Sequence, residues 1–278
     1  MNSFKKEFEE KGFYRIPKAL PLPLVDRLVV ATDNAMKNEK FSEDFCTINE
    51  SGHIHKLKYV FDKGDVFLEA LVHDSIISIL LELFDDPIQI VPTWEDMLIK
   101  VPKVGIPVDV HQDLALQSMK TSVFSLGVYL HDSQENPVYY LPGSYKLGPL
   151  TQTEIKELYL REKKNFVPLY AQKGDITVHN VKTVHFSKEN KSSSPRYTWY
   201  LEFRTLDQLK EDSPWDLEWI LHRRALWVAA LQKYQPNKSY LIPDAKELTP
   251  YINNLKLRVS HTNDKIQYDM ESPYNHFA

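Results

Sequence analysis

The chain contains 278 residues, of which 42% are hydrophobic and 26% are charged, values that fit a soluble globular protein and argue against a disordered one. Its formal net charge is −4 and its basic residues mostly alternate with acidic ones, so we expect no nucleic-acid partner. The single cysteine, Cys46, excludes an internal disulfide and argues against a cysteine-based metal cluster, and the polar N-terminus and short apolar runs lead us to expect a cytoplasmic protein with no membrane partner.

The first part of the chain has helical periodicity. Apolar residues three or four positions apart predict helices over residues 3–11, 24–37 and 66–84. Residues 13–16 have the composition of a short strand, and a polar, irregular segment is expected to extend to about Lys58. We therefore expect residues 1–84 to form a helical N-terminal part.

The pattern changes after Asp85, where short runs of β-branched and aromatic residues are separated by proline and glycine. These runs predict strands over residues 88–91, 97–101, 122–130, 138–141, 175–179 and 197–203. Such a series is typical of an antiparallel jelly roll. Helical spacing returns near Leu206, and the tail from Asn237 is expected to contain loops and one short helix.

These patterns predict one domain that is mainly β with flanking helices. Its core, residues 85–205, is predicted to be a double-stranded β-helix, the jelly roll of cupin-like proteins. Residues 206–278 are predicted to form a C-terminal helical extension.

The strongest local signal for chemistry is His111-Gln112-Asp113. Side chains two positions apart on a strand point to the same face, so His111 and Asp113 could bind one metal ion together. A second histidine would complete the facial triad of iron(II) oxygenases, which leaves positions open for a bidentate cosubstrate and O2. His179 and His185, which follow several predicted strands, are the candidates for that histidine.

Three blocks of sequence add to this signal. The first contains MLIKVP (97–102) and HQDL (111–114); the second contains GVYLHD (127–132), ENP (135–137) and LPGSYK (141–146); the third contains GD (174–175), HFSKENKS (185–192) and PR (195–196). Together with the opening FEEKGF (8–13), they resemble the phytanoyl-CoA dioxygenase family of iron(II)- and 2-oxoglutarate-dependent oxygenases over roughly residues 4–205.

The resemblance implies which histidine completes the triad. In the family, the distal ligand precedes a Ser-x-x-Asn stretch, and His185 with Ser187 and Asn190 matches it. The implied iron(II) ligands are therefore His111, Asp113 and His185. His179 is expected to be a buried or supporting histidine.

A cation is also needed for the far carboxylate of 2-oxoglutarate. Arginine suits a buried carboxylate because its planar fork binds both oxygens and stays charged. Arg196 opens the last predicted strand, and Thr198 on the same face could donate a hydroxyl to the same carboxylate. The resemblance adds Ser187 and Lys100 as further cosubstrate-binding candidates.

The implied activity is oxidation of a C–H bond, by default hydroxylation, in a small molecule or natural product, such as one in biosynthesis. Iron(II), 2-oxoglutarate and O2 would be used, and succinate and CO2 would be released. The alternatives are a non-catalytic ligand-binding jelly roll and a zinc-dependent barrel hydrolase or isomerase. A halogenase of the same family is disfavoured, because such enzymes lack the carboxylate that Asp113 supplies.

Two departures from the family pattern are Tyr145, where histidine is common, and Phe186, where glycine is common. Phe186 is expected to reshape the pocket. We expect the substrate not to be an acyl-CoA, because coenzyme A phosphates call for gathered basic residues. In the C-terminal part, Trp215, Trp219 and Trp227 are expected to pack against the core, whereas His222 and Arg223 could form a lid.

Overall fold

The computed structural model describes residues 3–38, 46–50, 52–84, 86–113, 123–211, 213, 215–242 and 246–253. Within these ranges the helices are α1 (Ser3–Lys11), α2 (Leu22–Asn38), α3 (Asp65–Leu71), α4 (Asp74–Leu83), α5 (Gln152–Glu162), α6 (Leu206–Glu211) and α7 (Leu217–Tyr234). The strands are β1 (Phe13–Ile16), β2 (Cys46–Ile48), β3 (Ile54–Leu57), β4 (Ile90–Lys100), β5 (Val108–His111), β6 (Phe124–Tyr129), β7 (Val138–Tyr140), β8 (Val167–Leu169), β9 (Ile176–Asn180), β10 (His185–Ser187) and β11 (Arg196–Thr205).

The strands form two antiparallel sheets. The larger sheet has the order β1-β9-β6-β11-β4-β3-β2, and the smaller has the order β5-β10-β7-β8. The prediction of a mainly β, cupin-like fold with flanking helices is therefore confirmed. In the described part of the chain, the two sheets remain separate and do not close into a barrel.

The larger sheet has one apolar face and one polar face. On β11, Trp199, Leu201 and Phe203 point outward and join the main hydrophobic core, which also contains Trp227 of α7 and Phe67 of α3. Because side chains alternate along a strand, the intervening residues of β11 point to the opposite, inner face. The inner face carries polar groups, and its side chains are those available to form a site.

Some predicted elements have different limits. The predicted helix over 66–84 is two helices, because the chain turns at Val72 and His73 caps α4 by accepting a hydrogen bond from the Ser75 amide. The strands predicted over 88–91 and 97–101 are one strand, β4. Pro92 is tolerated within β4 because the pairing register with β11 shifts there and β3 pairs only near Met97.

Other elements were not predicted. The segment expected to be irregular up to about Lys58 contains β2 and β3, and α5 and β8 lie in stretches to which no element was assigned. The tail contains short 3-10 turns at Pro236–Leu241 and Lys246–Leu248. Ser122, Leu114 and residues 254–278 lie outside the described residues.

Candidate metal centre and cosubstrate pocket

Two neighbouring strands of the smaller sheet bring the histidines of the predicted triad together. β5 and β10 pair antiparallel, and His111 lies directly opposite His185 in the register. Asp113 follows two residues after the end of β5, where its amide donates to the carbonyl of Val181 at 2.9 Å. The three residues therefore converge at one end of the smaller sheet.

The possible ligand atoms of the three side chains all lie within 4.8 Å of one another. Asp113 Oδ1 is 3.1 Å from His111 Nε2 and 3.7 Å from His185 Nε2. The ring centroids of the two histidines are 4.2 Å apart. Two imidazole nitrogens and one carboxylate in this arrangement could hold one divalent metal ion.

The backbone fixes the orientation of both histidines. His111 Nδ1 lies 2.7 Å from the carbonyl oxygen of Asp109, and His185 Nδ1 lies 2.9 Å from that of Thr183. Because a carbonyl oxygen can only accept a hydrogen bond, each Nδ1 must carry the proton. His185 is neutral near neutral pH and keeps a lone pair on Nε2. Asp113 raises the pKa of His111 despite its burial, so His111 Nε2 donates to the Asp113 carboxylate and would give up that proton on binding a metal.

His179 contacts the same carboxylate from the other side. Its Nε2 lies 2.7 Å from Asp113 Oδ2, and its ring is fully buried on β9. The other nitrogen, Nδ1, is 3.5 Å from the hydroxyl of Tyr140. His179 is thus placed to orient Asp113, leaving Oδ1 toward His111 and His185.

Electrostatic coupling is strong among these groups. Burial by itself would raise the pKa of the Asp113 carboxyl, but the charge of His185 and hydrogen bonds from His111 and His179 hold that pKa well below its usual range. Burial, together with the neighbouring His111, lowers the pKa of His185 to about 3. Asp113 is therefore ionised and His185 neutral near neutral pH, the protonation states that metal ligation requires.

Gln112, between the histidine and the aspartate, anchors this segment. Its Nε2 donates to the carbonyls of Gly148 at 3.0 Å and Lys182 at 2.6 Å, and its Oε1 accepts from the Leu150 amide at 2.9 Å. Three hydrogen bonds to two different loops hold the segment that carries His111 and Asp113.

Two buried basic side chains lie side by side at the end of the larger sheet nearest β10. Arg196 on β11 pairs in register with Lys100 on β4, and each residue is only 1% exposed. Among the described residues, neither cation has a carboxylate within ion-pairing distance. Burial, together with the adjacent Arg196, lowers the pKa of Lys100 to about 6. Lys100 is therefore largely unprotonated near neutral pH, whereas Arg196 stays charged. An anionic ligand here would compensate Arg196 and would favour protonation of Lys100.

Several buried hydrogen-bonding groups beside Lys100, including Arg196 itself, are only partly paired among the described residues. Arg196 donates one bond, from Nη1 to the Asn136 carbonyl at 2.7 Å, while its Nε and Nη2 have no partner among the described residues. The hydroxyls of Thr198 and Tyr129 are likewise unpartnered there. Buried donors are rarely left unpaired, so these atoms mark a pocket suited to a carboxylate.

The Ser-x-x-Asn stretch has a structural role beside this pocket. Lys100 Nζ donates to Ser187 Oγ at 2.8 Å, next to the end of β10 that carries His185. The Asn190 side-chain amide donates to the carbonyls of Lys100, Val101 and Ser194, at 3.1, 3.3 and 2.8 Å. The stretch therefore joins the metal-site strand to the end of β4 that bears a buried cation.

A cavity of about 550 Å³ opens between the inner faces of the two sheets. It is lined by His111, Asp113 and His185, and by Tyr200, Glu202, Arg204, Asp96, Lys56 and Trp94, among others. Phe186, the departure from the family pattern, also lines it and stacks on Tyr139 with ring centroids 4.9 Å apart. Sequence reasoning did not identify Glu202 and Asp96, although the alternation along β11 would have placed Glu202 on the face of Arg196.

The C-terminal aromatic residues pack as expected, but the lid does not form. Trp227 is buried in the main core, and Trp215 and Trp219 stack with centroids 4.4 Å apart in a separate cluster. The prediction that His222 and Arg223 could close the pocket is not supported by the structure. Arg223 is buried against β4 and paired with Glu95, and His222 packs against Tyr251.

No helix in the described ranges is both long enough and apolar enough to span a membrane.

Comparison with protein families gives one match. The model of the phytanoyl-CoA dioxygenase (PhyH) family matches residues 8–198. No curated protein sequence matches this chain.

Solved structures with a similar fold include EctD, SnoN and EvdMO1. EctD from S. alaskensis, solved with 2-oxoglutarate and 5-hydroxyectoine, has a TM-score of 0.65 at 16% identity, over 75% of this chain and 77% of its own. The epimerase SnoN, in complex with Fe3+, alpha-ketoglutarate and nogalamycin RO, has a TM-score of 0.60 at 19% identity, over 72% and 81% of the two chains. EvdMO1 has a TM-score of 0.60 at 23% identity over 72% of this chain, which spans about half (49%) of the length of EvdMO1. At these identities the likeness shows the fold.

Proposed function

Because this chain belongs to the phytanoyl-CoA dioxygenase family, whose members depend on iron(II) and 2-oxoglutarate, we propose that it is a dioxygenase acting on a C–H bond of a small molecule or natural product. In this proposal His111, Asp113 and His185 hold the iron, and Arg196 holds the far carboxylate of 2-oxoglutarate.

One observation carries the proposal more than any other: the triad lies beside two buried basic residues of the larger sheet, Arg196 and Lys100. The hydrogen bond from Lys100 to Ser187 of β10 joins the two places. A zinc-dependent hydrolase or a simple ligand-binding module would need the triad at most. The donor chemistry also suits the cosubstrate, since Arg196 keeps Nε and Nη2 free and Thr198 keeps its hydroxyl free among the described residues. A dicarboxylate bridging the two places would satisfy all of these groups.

The residues of this chain have distinct tasks in the proposed reaction. Bound iron(II) would supply the redox chemistry that couples O2 and 2-oxoglutarate to substrate oxidation, with release of succinate and CO2. Asp109 and Thr183 keep the two histidines oriented through their carbonyls, and His179 orients Asp113. Arg196 and Lys100 compensate the cosubstrate charge in a place that excludes water.

Hydroxylation is the outcome that we propose. Other outcomes are open to the same fold, since SnoN is described as an alpha-ketoglutarate-dependent epimerase. The cavity favours a compact substrate over an acyl-CoA, because its cations Lys56 and Arg204 each lie beside an acid, Asp96 and Glu202, and do not form a phosphate-binding cluster.

The Arg196→Leu variant tests the cosubstrate assignment. Losing the charge-assisted contacts of a buried arginine costs about 2–5 kcal/mol, so the apparent affinity for 2-oxoglutarate should fall by at least about tenfold. Affinity for the metal should change little. Succinate formation and direct 2-oxoglutarate binding should be measured as a function of 2-oxoglutarate concentration, with the exposed Arg161→Leu on α5 as the control. Unchanged 2-oxoglutarate dependence in Arg196→Leu would reject the assignment.

A further inference from the structure

Two buried acid–arginine pairs lie at the strand pair β4–β11, and they differ in how completely their hydrogen-bonding groups are paired: Glu95 of β4 with Arg223 of α7, and Glu202 with Arg204 of β11. On the outer face of this strand pair, Glu95 receives two hydrogen bonds from the guanidinium of Arg223, one of 2.7 Å and one shorter. Arg223 Nε also donates to the Pro92 carbonyl at 2.8 Å. The Glu95–Arg223 pair is fully engaged with protein groups and needs no ligand.

The pair on the inner face is left open. Glu202 and Arg204 are almost as buried, with side chains 12% and 6% exposed, yet Glu202 Oε2 lies 3.7 Å from the nearest guanidinium nitrogen. Neither Glu202 Oε2 nor Arg204 Nε has a hydrogen-bond partner among the described residues. The guanidinium of Arg204 lies over the ring of Trp215 instead, 4.9 Å from its centroid. The arginine is thus partly engaged elsewhere, and the carboxylate is poorly compensated.

Glu202 lies on the inner face of the larger sheet and lines the same cavity as the triad of the smaller sheet. Across the larger sheet, Glu202 is opposite Ser125 of β6, and Ser125 is opposite His179 of β9, which binds the Asp113 carboxylate. On its other side, Glu202 is opposite Trp94 of β4. Ser125, Glu202 and Trp94 all line the cavity. A ligand that contacts Glu202 would therefore lie between the triad and an aromatic wall.

The neighbouring acid, Asp96, shows which kind of group binds beside a carboxylate and an aromatic ring in this cavity. The ammonium group of Lys56 lies 3.1 Å from Asp96 and 5.5 Å from the centroid of the Trp94 ring. A carboxylate beside an aromatic face is a favourable setting for an organic cation. The Lys56 ammonium occupies this setting 3.1 Å from Asp96. At Glu202 the neighbouring cation, Arg204, stays 3.7 Å away and lies over Trp215.

We infer that Glu202 anchors the substrate by binding a basic nitrogen, an amine or an amidine, so that the substrate of this enzyme is an organic cation. The inference rests on the proposed function, because it assigns the substrate class of the same cavity. Glu202 acts as a specificity-determining residue that directs the rest of the substrate toward the triad.

The electrostatics agree with this geometry. Burial raises the pKa of Glu202 to about 7, against the opposing effect of Arg204 and with added repulsion from Asp113 and Asp96. Lys56 is a further charged side chain that lines the cavity near Glu202. A cationic ligand would supply the compensation that Glu202 lacks in the free protein.

Three probes that share one ring test the inference: cyclohexylmethylamine, cyclohexylmethanol and cyclohexanecarboxylate. Their affinities should be measured by ligand-observed NMR titration at pH 8, first without added metal and then anaerobically with Fe(II) and 2-oxoglutarate. The variants are Glu202→Gln, and Glu157→Gln on the exposed face of α5 as a control with the same change of charge. Circular dichroism of each variant verifies that it is folded.

We expect the amine to bind the unaltered protein most tightly. Glu202→Gln should weaken amine binding by about tenfold or more and change binding of the alcohol and the carboxylate by less than about twofold, since only the amine loses a charged partner. Glu157→Gln should change nothing. The deciding arm is the one with Fe(II) and 2-oxoglutarate, in which the cosubstrate fills the Arg196 pocket. There, preferred binding of the alcohol or the carboxylate, amine binding that survives Glu202→Gln, or no amine binding at all would overturn the inference. Amine binding through Glu202 in a protein that never consumes 2-oxoglutarate would instead reject the proposed function.

Discussion

At the scale of single residues, the three histidines around the Asp113 carboxylate contact it in different ways. His111 and His185 direct Nε2 toward Asp113 Oδ1 and anchor Nδ1 to backbone carbonyls, whereas His179 binds the other carboxylate oxygen at 2.7 Å. The first two can exchange the carboxylate contact for a metal ion without losing their orientation. His179 would lose the hydrogen bond that positions Asp113.

The His179→Ala variant should therefore weaken metal binding without abolishing it. Removing a partner that orients a ligand typically costs about tenfold to a hundredfold in metal affinity. His179→Gln, which keeps a side-chain donor, should recover part of the loss. Competition between the protein and a chromophoric chelator for Co(II) measures this, with His185→Ala as the reference for a lost ligand. An effect of His179→Ala as large as that of His185→Ala would make His179 a ligand.

The raised pKa of Glu202 leads to a separate prediction about how the stability of the protein depends on pH. Its pKa in the folded protein, about 7, is above the ordinary value of 4.5, so the folded state retains a proton in this interval that the unfolded state releases. The carboxylate consequently lowers the free energy of unfolding as pH rises from about 4.5 to 7, and the loss is complete above 7.

Glu202→Gln should remove that loss. We expect the variant to be more stable than the unaltered protein at pH 8, by about 1–3 kcal/mol, and nearly equal to it at pH 4.5. Urea denaturation of the ligand-free proteins at the two pH values measures the difference. If the stability of Glu202→Gln relative to the unaltered protein were lower at pH 8 than at pH 4.5, the result would show that Arg204 compensates the carboxylate well.

At the scale of elements, Gln112 connects the segment after β5 to two loops. The Gln112→Ala variant loses three buried hydrogen bonds, each contributing about 0.5–1.5 kcal/mol, so we expect a loss of about 2–4 kcal/mol in the free energy of unfolding. Metal affinity should fall as well, because His111 and Asp113 lose their support.

Gln152→Ala is the matched control for Gln112→Ala. Gln152 is exposed and makes one long bond, 3.3 Å from its side-chain nitrogen to the Val110 carbonyl. Thermal unfolding and Co(II) titration of both variants should separate them clearly. Equal and small effects of the two substitutions would mean that the segment is held by its backbone contacts alone.

The elements that the sequence predicted well are those with long, regular patterns. The β11 run and the helix α2 have many apolar residues at one period, and their predicted limits lie within a few residues of the observed ones. The short strands β2, β3 and β8 have three or four residues each, too few to establish a period of two. Pairing with other strands stabilises them. β3 also pairs with β4, and β8 pairs with β7, and these partners are far apart in the chain and leave no local pattern.

The helix α5 could have been found. Thr151 and Glu154 form a capping box, in which the Thr151 side chain accepts from the Glu154 amide and the Glu154 side chain accepts from the Thr151 amide. The T-x-x-E spacing is a recognised signal for a helix N-terminus. Ile155 and Leu158 are the buried residues of this helix, so its apolar face is too weak to be recognised from periodicity.

At the scale of the whole molecule, the two faces of the larger sheet have different roles: one forms the core and the other forms the site. The outer face packs against helices through Trp199 and Phe203 and provides the main core. The inner face carries the basic residues Arg196 and Lys100 and the poorly paired Glu202, and the smaller sheet supplies the triad. The buried Glu95–Arg223 pair on the outer face is well paired, whereas Glu202 and Arg196 on the inner face are not. Because poorly paired buried charges are costly, their position indicates a ligand site and not a means of stabilisation.

The sequence indicated one part of this site locally and another only through family resemblance. His111 and Asp113 are two residues apart, so a strand places them together, but the register that sets His185 opposite His111 joins distant segments. The Ser-x-x-Asn stretch selected His185 because it resembles the family. The poor pairing of Glu202 depends on the side-chain conformation of Arg204, which no spacing encodes.

Anaerobic titration of the Fe(II)-loaded protein with 2-oxoglutarate, followed by visible absorption, tests most directly whether one site holds both groups. We predict a weak charge-transfer band that grows to saturation in the unaltered protein, requires at least about tenfold more 2-oxoglutarate in Arg196→Leu, and is absent in His185→Ala. Absence of the band in the unaltered protein, or an undiminished band in His185→Ala, would contradict the assignment of the iron and cosubstrate site.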